Sequence, residues 1–137
     1  MKTRERIIVL AQTRFNELGY GNVTTAALAA ELGISEGNLW YHFKTKRDLL
    51  EAISAEFVLY LNERLALLPD KKNDVVEGYI ALMVSLAQEL SKYRFLYRDQ
   101  ADYGCHSQTV LNNITWLYEK VELNLRLFTL RWCGSTC

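Results

Sequence analysis

The sequence predicts an all-α fold: a three-helix bundle containing a helix-turn-helix, joined by a long fourth helix to a partial second helical body. Three observations lead there. Apolar residues recur at three- and four-residue steps along nearly the whole chain, and no stretch alternates as a half-buried strand does. Hydroxyl residues stand where helices need N-caps, at Thr24, Ser35 and Thr45. Glycines and a single proline fall between the periodic stretches, at Gly19, Gly33 and Pro69.

Each element follows from those signals. From Arg4 to Leu18 the residues Ile7, Ile8, Leu10, Ala11, Phe15 and Leu18 form one face of a first helix, which Gly19 is expected to end in a left-handed conformation. Thr24 caps a second helix, with Val23 and Leu28 placed as a hydrophobic staple, and Gly33 stops it after Leu32. Ile34 and Leu39 make a second staple around Ser35, opening a short third helix from Glu36 to about Phe43. Thr45, with Asp48 three residues on, forms a capping box for a fourth helix that continues past Leu65 toward Pro69.

The charge run Asp70-Lys71-Lys72-Asn73-Asp74 reads as a solvated connection. A broad apolar helix follows from Val75 to Leu90, then a short aromatic helix from Tyr93 to about Asp102. A last helix runs from Gln108 to about Leu130, about seven helices in all. Its end, Leu123 to Trp132, is apolar on more than one face, so one side is expected to lie exposed in a monomer.

Bulk properties narrow the function. A chain of 137 residues, half of them hydrophobic, has room for one compact domain or a small domain with a helical appendage, and two large domains are excluded. No apolar run reaches the ~18 residues of a membrane span and the N-terminus lacks a signal-peptide core, so a cytoplasmic protein with no membrane partner is expected. Cys105, Cys133 and Cys137 have no metal-ligand spacing, which leaves free thiols and no metal site. Cys105-His106 is the only adjacent pair resembling a nucleophile and base. Neither a glycine-rich phosphate loop nor paired carboxylates accompany it, so no catalytic site is expected and no cofactor is implied.

Charge is balanced overall, with 16 Lys and Arg against 16 Asp and Glu, but not evenly spread. Residues 1–50 carry seven cations (Lys2, Arg4, Arg6, Arg14, Lys44, Lys46, Arg47) against five acids, so an anionic partner should meet the N-terminal third.

The stretch ISEGNLWYHFKTK, residues 34–46, indicates how. The third helix needs a single apolar stripe, supplied by Leu39 and Phe43 with Ile34 beside them. At about 100° per residue, Trp40, Tyr41 and His42 cannot all join it. Exposed rings with N–H or O–H donors beside Lys44, Lys46 and Arg47 suit a sugar-phosphate backbone. The alternative is that Trp40 and Tyr41 seal the junction with the fourth helix. His42 has no ligand partner at helical spacing and is not read as a metal site. Asn38 can pair with adenine N6 and N7. Glu36 has two readings, accepting from cytosine N4 or serving as a dipole partner at the helix start. Gly37 permits close backbone approach or is simply a small residue near a helix start.

Residues 4–53 resemble the DNA-binding domain of the TetR family of bacterial transcriptional repressors. The resemblance is carried by RERIIVLAQTRFNELGY, by the Thr24-Thr25 pair, and by AAELGISEGNLWYHFKTKRDLLEAI. It implies a DNA-binding domain over 1–50, with its helix-turn-helix over about 24–43, and a helical ligand-sensing and dimerisation domain over 51–137. Phosphate contacts are implied for Thr25, Trp40, Tyr41, His42 and Lys46, and base-edge roles for Glu36, Gly37 and Asn38. Thr24, Ser35 and Lys44 complete the expected DNA face. Family members usually carry Tyr where this chain has Trp40, which keeps a ring and a donor but changes reach.

The implied function is a sequence-specific, ligand-responsive repressor that binds an operator in double-stranded DNA. The alternative is a small helical interaction protein, or a truncated regulator that no longer holds an operator tightly. An effector pocket is implied, for which Tyr79, Met83, Phe95, Tyr97 and Trp116 are candidate lining residues, although aromatic and Met positions at helical spacing also build cores. A homodimer is expected for the family, because two recognition helices must meet major grooves about 34 Å apart. Family repressors usually carry two further late helices that form the dimer interface. This sequence is therefore expected to be a truncated or frame-shifted regulator, which puts the dimer in doubt.

Overall fold

The computed structural model describes the backbone of residues 1–66 and 75–136, and the side chains of 1–65 and 76–130. All regular elements among them are helical. They are α1 (Thr3–Leu18), a 3-10 turn (Tyr20–Asn22), α2 (Thr25–Leu32), α3 (Glu36–His42), α4 (Lys46–Ala66), α5 (Val75–Lys92), α6 (Arg94–Arg98), α7 (Gln100–Tyr103) and α8 (Gln108–Thr136). Pro69, the charge run 70–74 and the side chains of Trp132, Cys133 and Cys137 lie outside the described residues.

The local signals form the ends they predict. The Thr24 hydroxyl accepts from the Ala27 amide at 3.1 Å, Ser35 from Asn38 at 3.0 Å and Thr45 from Asp48 at 3.1 Å, each satisfying an orphan donor of a first turn. Gly33 adopts φ 70°, ψ 28°, the left-handed conformation that closes α2. Gly19 differs from expectation: its φ is positive at 89° but its ψ of 143° is extended, so the chain leaves α1 directly into the 3-10 turn.

The expected aromatic helix from Tyr93 to Asp102 is a correction. It is two helices, α6 and α7, broken at Asp99 with φ −103° and ψ 23°. The cause is a long-range bond. The buried Asp99 carboxylate accepts from the Tyr20 amide at 3.0 Å and from Arg98 Nε at 2.8 Å, and the chain turns to present it. The last helix also extends beyond Leu130, to Thr136.

One hydrophobic core runs through both halves. Rings join them in sequence: Tyr103 packs on Tyr20 with centroids 5.8 Å apart, Tyr20 on Phe15 at 5.1 Å, and Phe15 on Phe95 at 5.2 Å. Phe57 of α4 stacks on Tyr93 at 4.4 Å. Polar bonds reinforce this seam. The buried Asn16 side chain donates to the Lys92 carbonyl at 2.6 Å and accepts from the Phe95 amide at 3.1 Å, while Arg98 donates to the Phe15 and Asn16 carbonyls, each at 2.9 Å. The three-helix head, α1 to α3, is thereby fixed on the α5–α6 corner.

Two expectations follow. Asn16→Ala leaves the buried Phe95 amide without its acceptor, while the Lys92 carbonyl keeps the Gln12 side chain at 2.8 Å, and should cost about 1–3 kcal/mol, read by urea denaturation. Asp99 is held below the ordinary carboxylate range by the Arg98 guanidinium and then by the Tyr20 amide. An acid with a lowered folded pKa contributes stability that is fully present above the unfolded value of about 3.9 and is lost as pH falls through the folded one. Acidification from pH 6 to below 4 should therefore destabilise the wild type more than Asp99→Asn, and equal losses would exclude Asp99 from the seam's acid sensitivity.

Candidate nucleic-acid interface

Helices α2 and α3 pack directly on each other through the Gly33 turn, where the Ile34 amide bonds the Ala29 carbonyl at 3.0 Å. Leu39 is fully buried and Phe43 nearly so, with Ile34 half-buried beside them, so α3 is pinned along a narrow stripe. The rest of α3 is exposed except for the half-buried His42. Glu36, Gly37 and Asn38 are exposed on its first turn, as are Thr24 and Ser35 at the caps, and Thr25 is half-buried.

The rings divide as helical geometry demands. Tyr41 is 84% exposed and Trp40 50%, so neither is sealed into the junction with α4. His42 is half-buried and meets the Tyr41 ring edge-on at 5.2 Å. At Gly37 a Cβ would meet nothing closer than the Ser35 hydroxyl at 3.9 Å. The fold itself therefore leaves room for a side chain there, and its lack of one bares the backbone between Glu36 and Asn38.

The cations sort themselves in a way the sequence did not reveal. Lys44 is exposed and has no ion pair with any described residue, and Arg47 is exposed with only a 4.0 Å approach to Glu51. Lys46 is turned inward. Its ammonium donates to the Tyr20 carbonyl and sits 4.0 Å from the centre of the Tyr20 ring, and burial lowers its pKa. Arg14, counted by sequence among the cations open to an anionic partner, bonds Glu31 at 2.9 Å through Nε and is also paired with Glu17. Arg4 lies over the Phe43 ring at 5.1 Å. Cations without a close ion pair to a described residue thus stand at two places, Lys44 and Arg47 on the α3–α4 turn and Lys2, Arg4 and Arg6 at the start of α1.

A cavity of about 830 Å³ opens between α4, α5, α6 and α8. Of the five residues expected to line it, Met83 and Tyr97 do. Phe95 is fully buried in the aromatic seam, Tyr79 stacks on Phe128 with centroids 3.7 Å apart, and Trp116 is half-buried under the Lys120 ammonium at 5.5 Å. None of those three lines this cavity. Spacing missed Arg94 and Arg98, which line it from α6 and which a search for apolar periodicity passes over. Among the described residues no helix is long and apolar enough to cross a membrane, and no group of three His, Cys, Asp or Glu side chains is placed to hold a metal ion.

Comparison with known proteins places this geometry. The family model for bacterial regulatory proteins of the tetR family matches residues 7–53. Over 55 residues, 40% of this chain and 25% of its relative, the sequence is 42% identical to the tetracycline repressor protein class D of Escherichia coli. Over 126 residues it is 26% identical to the nucleoid occlusion factor SlmA of Shewanella pealeana, covering 90% of this chain and 64% of that protein. A crystal structure of a TetR-family transcriptional regulator from Marinobacter aquaeolei superposes with a TM-score of 0.89 at 27% identity, covering 98% of this chain and 66% of that one. The chain thus spans between a quarter and two thirds of the length of these relatives. Residues 7–53 thus carry the helix-turn-helix of the tetR family of bacterial regulatory proteins, and the helical body that follows superposes on a solved member of that family.

Proposed function

We propose that the chain is a sequence-specific DNA-binding transcriptional regulator, acting as a ligand-responsive repressor, with α2, α3 and the α3–α4 turn as its DNA face. The observation that carries this reading is the bare face of α3. Trp40 and Tyr41 stand exposed beside the unpaired Lys44 on a helix held only by Leu39 and Phe43, a costly arrangement unless a partner covers the rings. A duplex suits it. The rings lie along sugars, their N–H and O–H groups and Thr25 donate to phosphate oxygens, and Lys44 and Arg47 supply the charge. Lys46 then acts from behind, holding the Tyr20 turn against α4.

Asn38 is the base-reading candidate, in bidentate contact with an adenine, and Glu36 an acceptor for a cytosine amino group. Gly37 between them lets the backbone approach the groove. The name of the Escherichia coli relative, a tetracycline repressor, supports repression as the direction of control. The cavity between α4, α5, α6 and α8 supports a small-molecule effector site. Binding an operator calls for a homodimer, and α8 exposes Leu123, Leu127 and Leu130 along one face that a second copy would cover.

Affinity for duplex DNA should fall with salt, each phosphate contact contributing about −0.9 to the slope of log K against log salt. Lys44→Ala should weaken binding to all sequences alike and flatten that slope by roughly one unit. An unaltered slope removes Lys44 from the interface. Asn38→Ala should instead relax preference at one base position of each half-site by about 1–3 kcal/mol while leaving the slope nearly intact. Selection from random duplexes with wild type, Asn38→Ala and Glu36→Gln reads this directly, and identical preferences in all three proteins contradict the assignment.

A further inference from the structure

We infer that the cavity takes an elongated aliphatic molecule ending in a single carboxylate, with Arg94 as the residue that receives the charge. The inference rests on the cavity being an effector site and adds the chemical class of the effector. Its volume of about 830 Å³ lies in the range of small-molecule sites.

The body of the ligand is set by the walls. Leu61 of α4, Met83, Leu86 and Leu90 of α5, and Leu117 and Val121 of α8 contribute only hydrocarbon and a thioether. A sugar, nucleotide or peptide would leave its own donors and acceptors unpaired against that surface, which is costly for each group.

The sign of the head group is set by the remaining lining residues. Arg94 and Arg98 both line the cavity and no Asp or Glu does, so a ligand cation would meet the Arg94 guanidinium with no acid of the wall beside it, Asp99 neutralising only Arg98. The two arginines are not equivalent. Arg98 is consumed by the Phe15 and Asn16 carbonyls and by the Asp99 carboxylate at 2.8 Å. Arg94 gives one bond, from Nη1 to the Ser91 carbonyl at 2.9 Å, and forms no ion pair with a described residue. Its other donors remain available for the two-pronged contact that a guanidinium makes with a carboxylate. Arg94 is also exposed, so the bound charge keeps part of its hydration and avoids most of the burial penalty. The Tyr97 phenol, held protonated by burial, offers a further donor along the cavity wall.

The test is calorimetric titration of the full chain with decanoate, decanol and decyltrimethylammonium, all well below micelle formation. Decanoate should bind about tenfold or more tighter than decanol, the margin expected of a charge-assisted hydrogen-bonded pair. Decyltrimethylammonium should bind weakest. Arg94→Gln should bring decanoate to near the affinity of decanol without weakening decanol. Met83→Trp, which fills the cavity, should weaken both, and circular dichroism confirms that each variant keeps its helical content. Equal binding of decanoate and decanol to the wild type overturns the carboxylate assignment while leaving the cavity as an effector site. Decanoate binding untouched by Met83→Trp places the ligand elsewhere and overturns the inference. Binding of none of the three probes overturns the effector-site reading together with it.

Discussion

Everything in this structure that faces a partner depends on how the last turn of α1 is tied to the α5–α6 corner. A helix end leaves its carbonyls without partners. Here Arg98 takes the carbonyl of Asn16 and shares that of Phe15 with the Gly19 amide, and the Asn16 side chain reaches back to the Lys92 carbonyl and the Phe95 amide. Asp99 neutralises Arg98 and holds the Tyr20 amide as the chain leaves α1. Because α1 packs on both α2 and α4, this cluster sets where α3 stands relative to the helices around the cavity. The hydrophobic core crosses the same seam through Phe15 and Phe95, so a boundary drawn near residue 50 divides roles in the chain without dividing the core.

The sequence disclosed what local chemistry decides. Thr24, Ser35 and Thr45 cap within three residues of themselves, and Gly33 turns the chain because a left-handed φ costs it nothing, so these features are visible without knowledge of the fold. The anchoring stripe of Leu39 and Phe43 was equally legible, and with it that Trp40, Tyr41 and His42 could not all face inward, though not which of them is exposed. What escaped was decided at long range. The break at Asp99 answers an amide 79 positions earlier, and nothing near Asp99 announces it. Lys46 reads as a free cation in sequence, yet lies against a carbonyl and a ring 26 positions before it. Tyr79, Phe95 and Trp116 have the composition of a binding wall and the contacts of a packed one. Periodicity separates inside from outside but not core from cavity.

The candidate DNA face also shows why a net charge of zero is no obstacle to an anionic partner. What matters is which cations are already spent. Arg14 is paired with Glu17 and Glu31, Arg98 with Asp99, and Lys46 is withdrawn, whereas Lys44 is exposed at the foot of α3. Local field near the helix, not the sum over the chain, steers a phosphate backbone into contact at short Debye lengths. The bare backbone at Gly37 sits on the same surface, one turn from the Tyr41 ring.

The most direct measurement is an amide NMR map of the chain titrated with duplex DNA at low salt. The account predicts that signals of residues 24–44 shift or broaden first, with the Trp40 indole among them. Perturbations confined to the exposed leucines of α8, with α3 silent, would contradict it and identify the chain as a helical interaction protein whose aromatic helix serves some other contact.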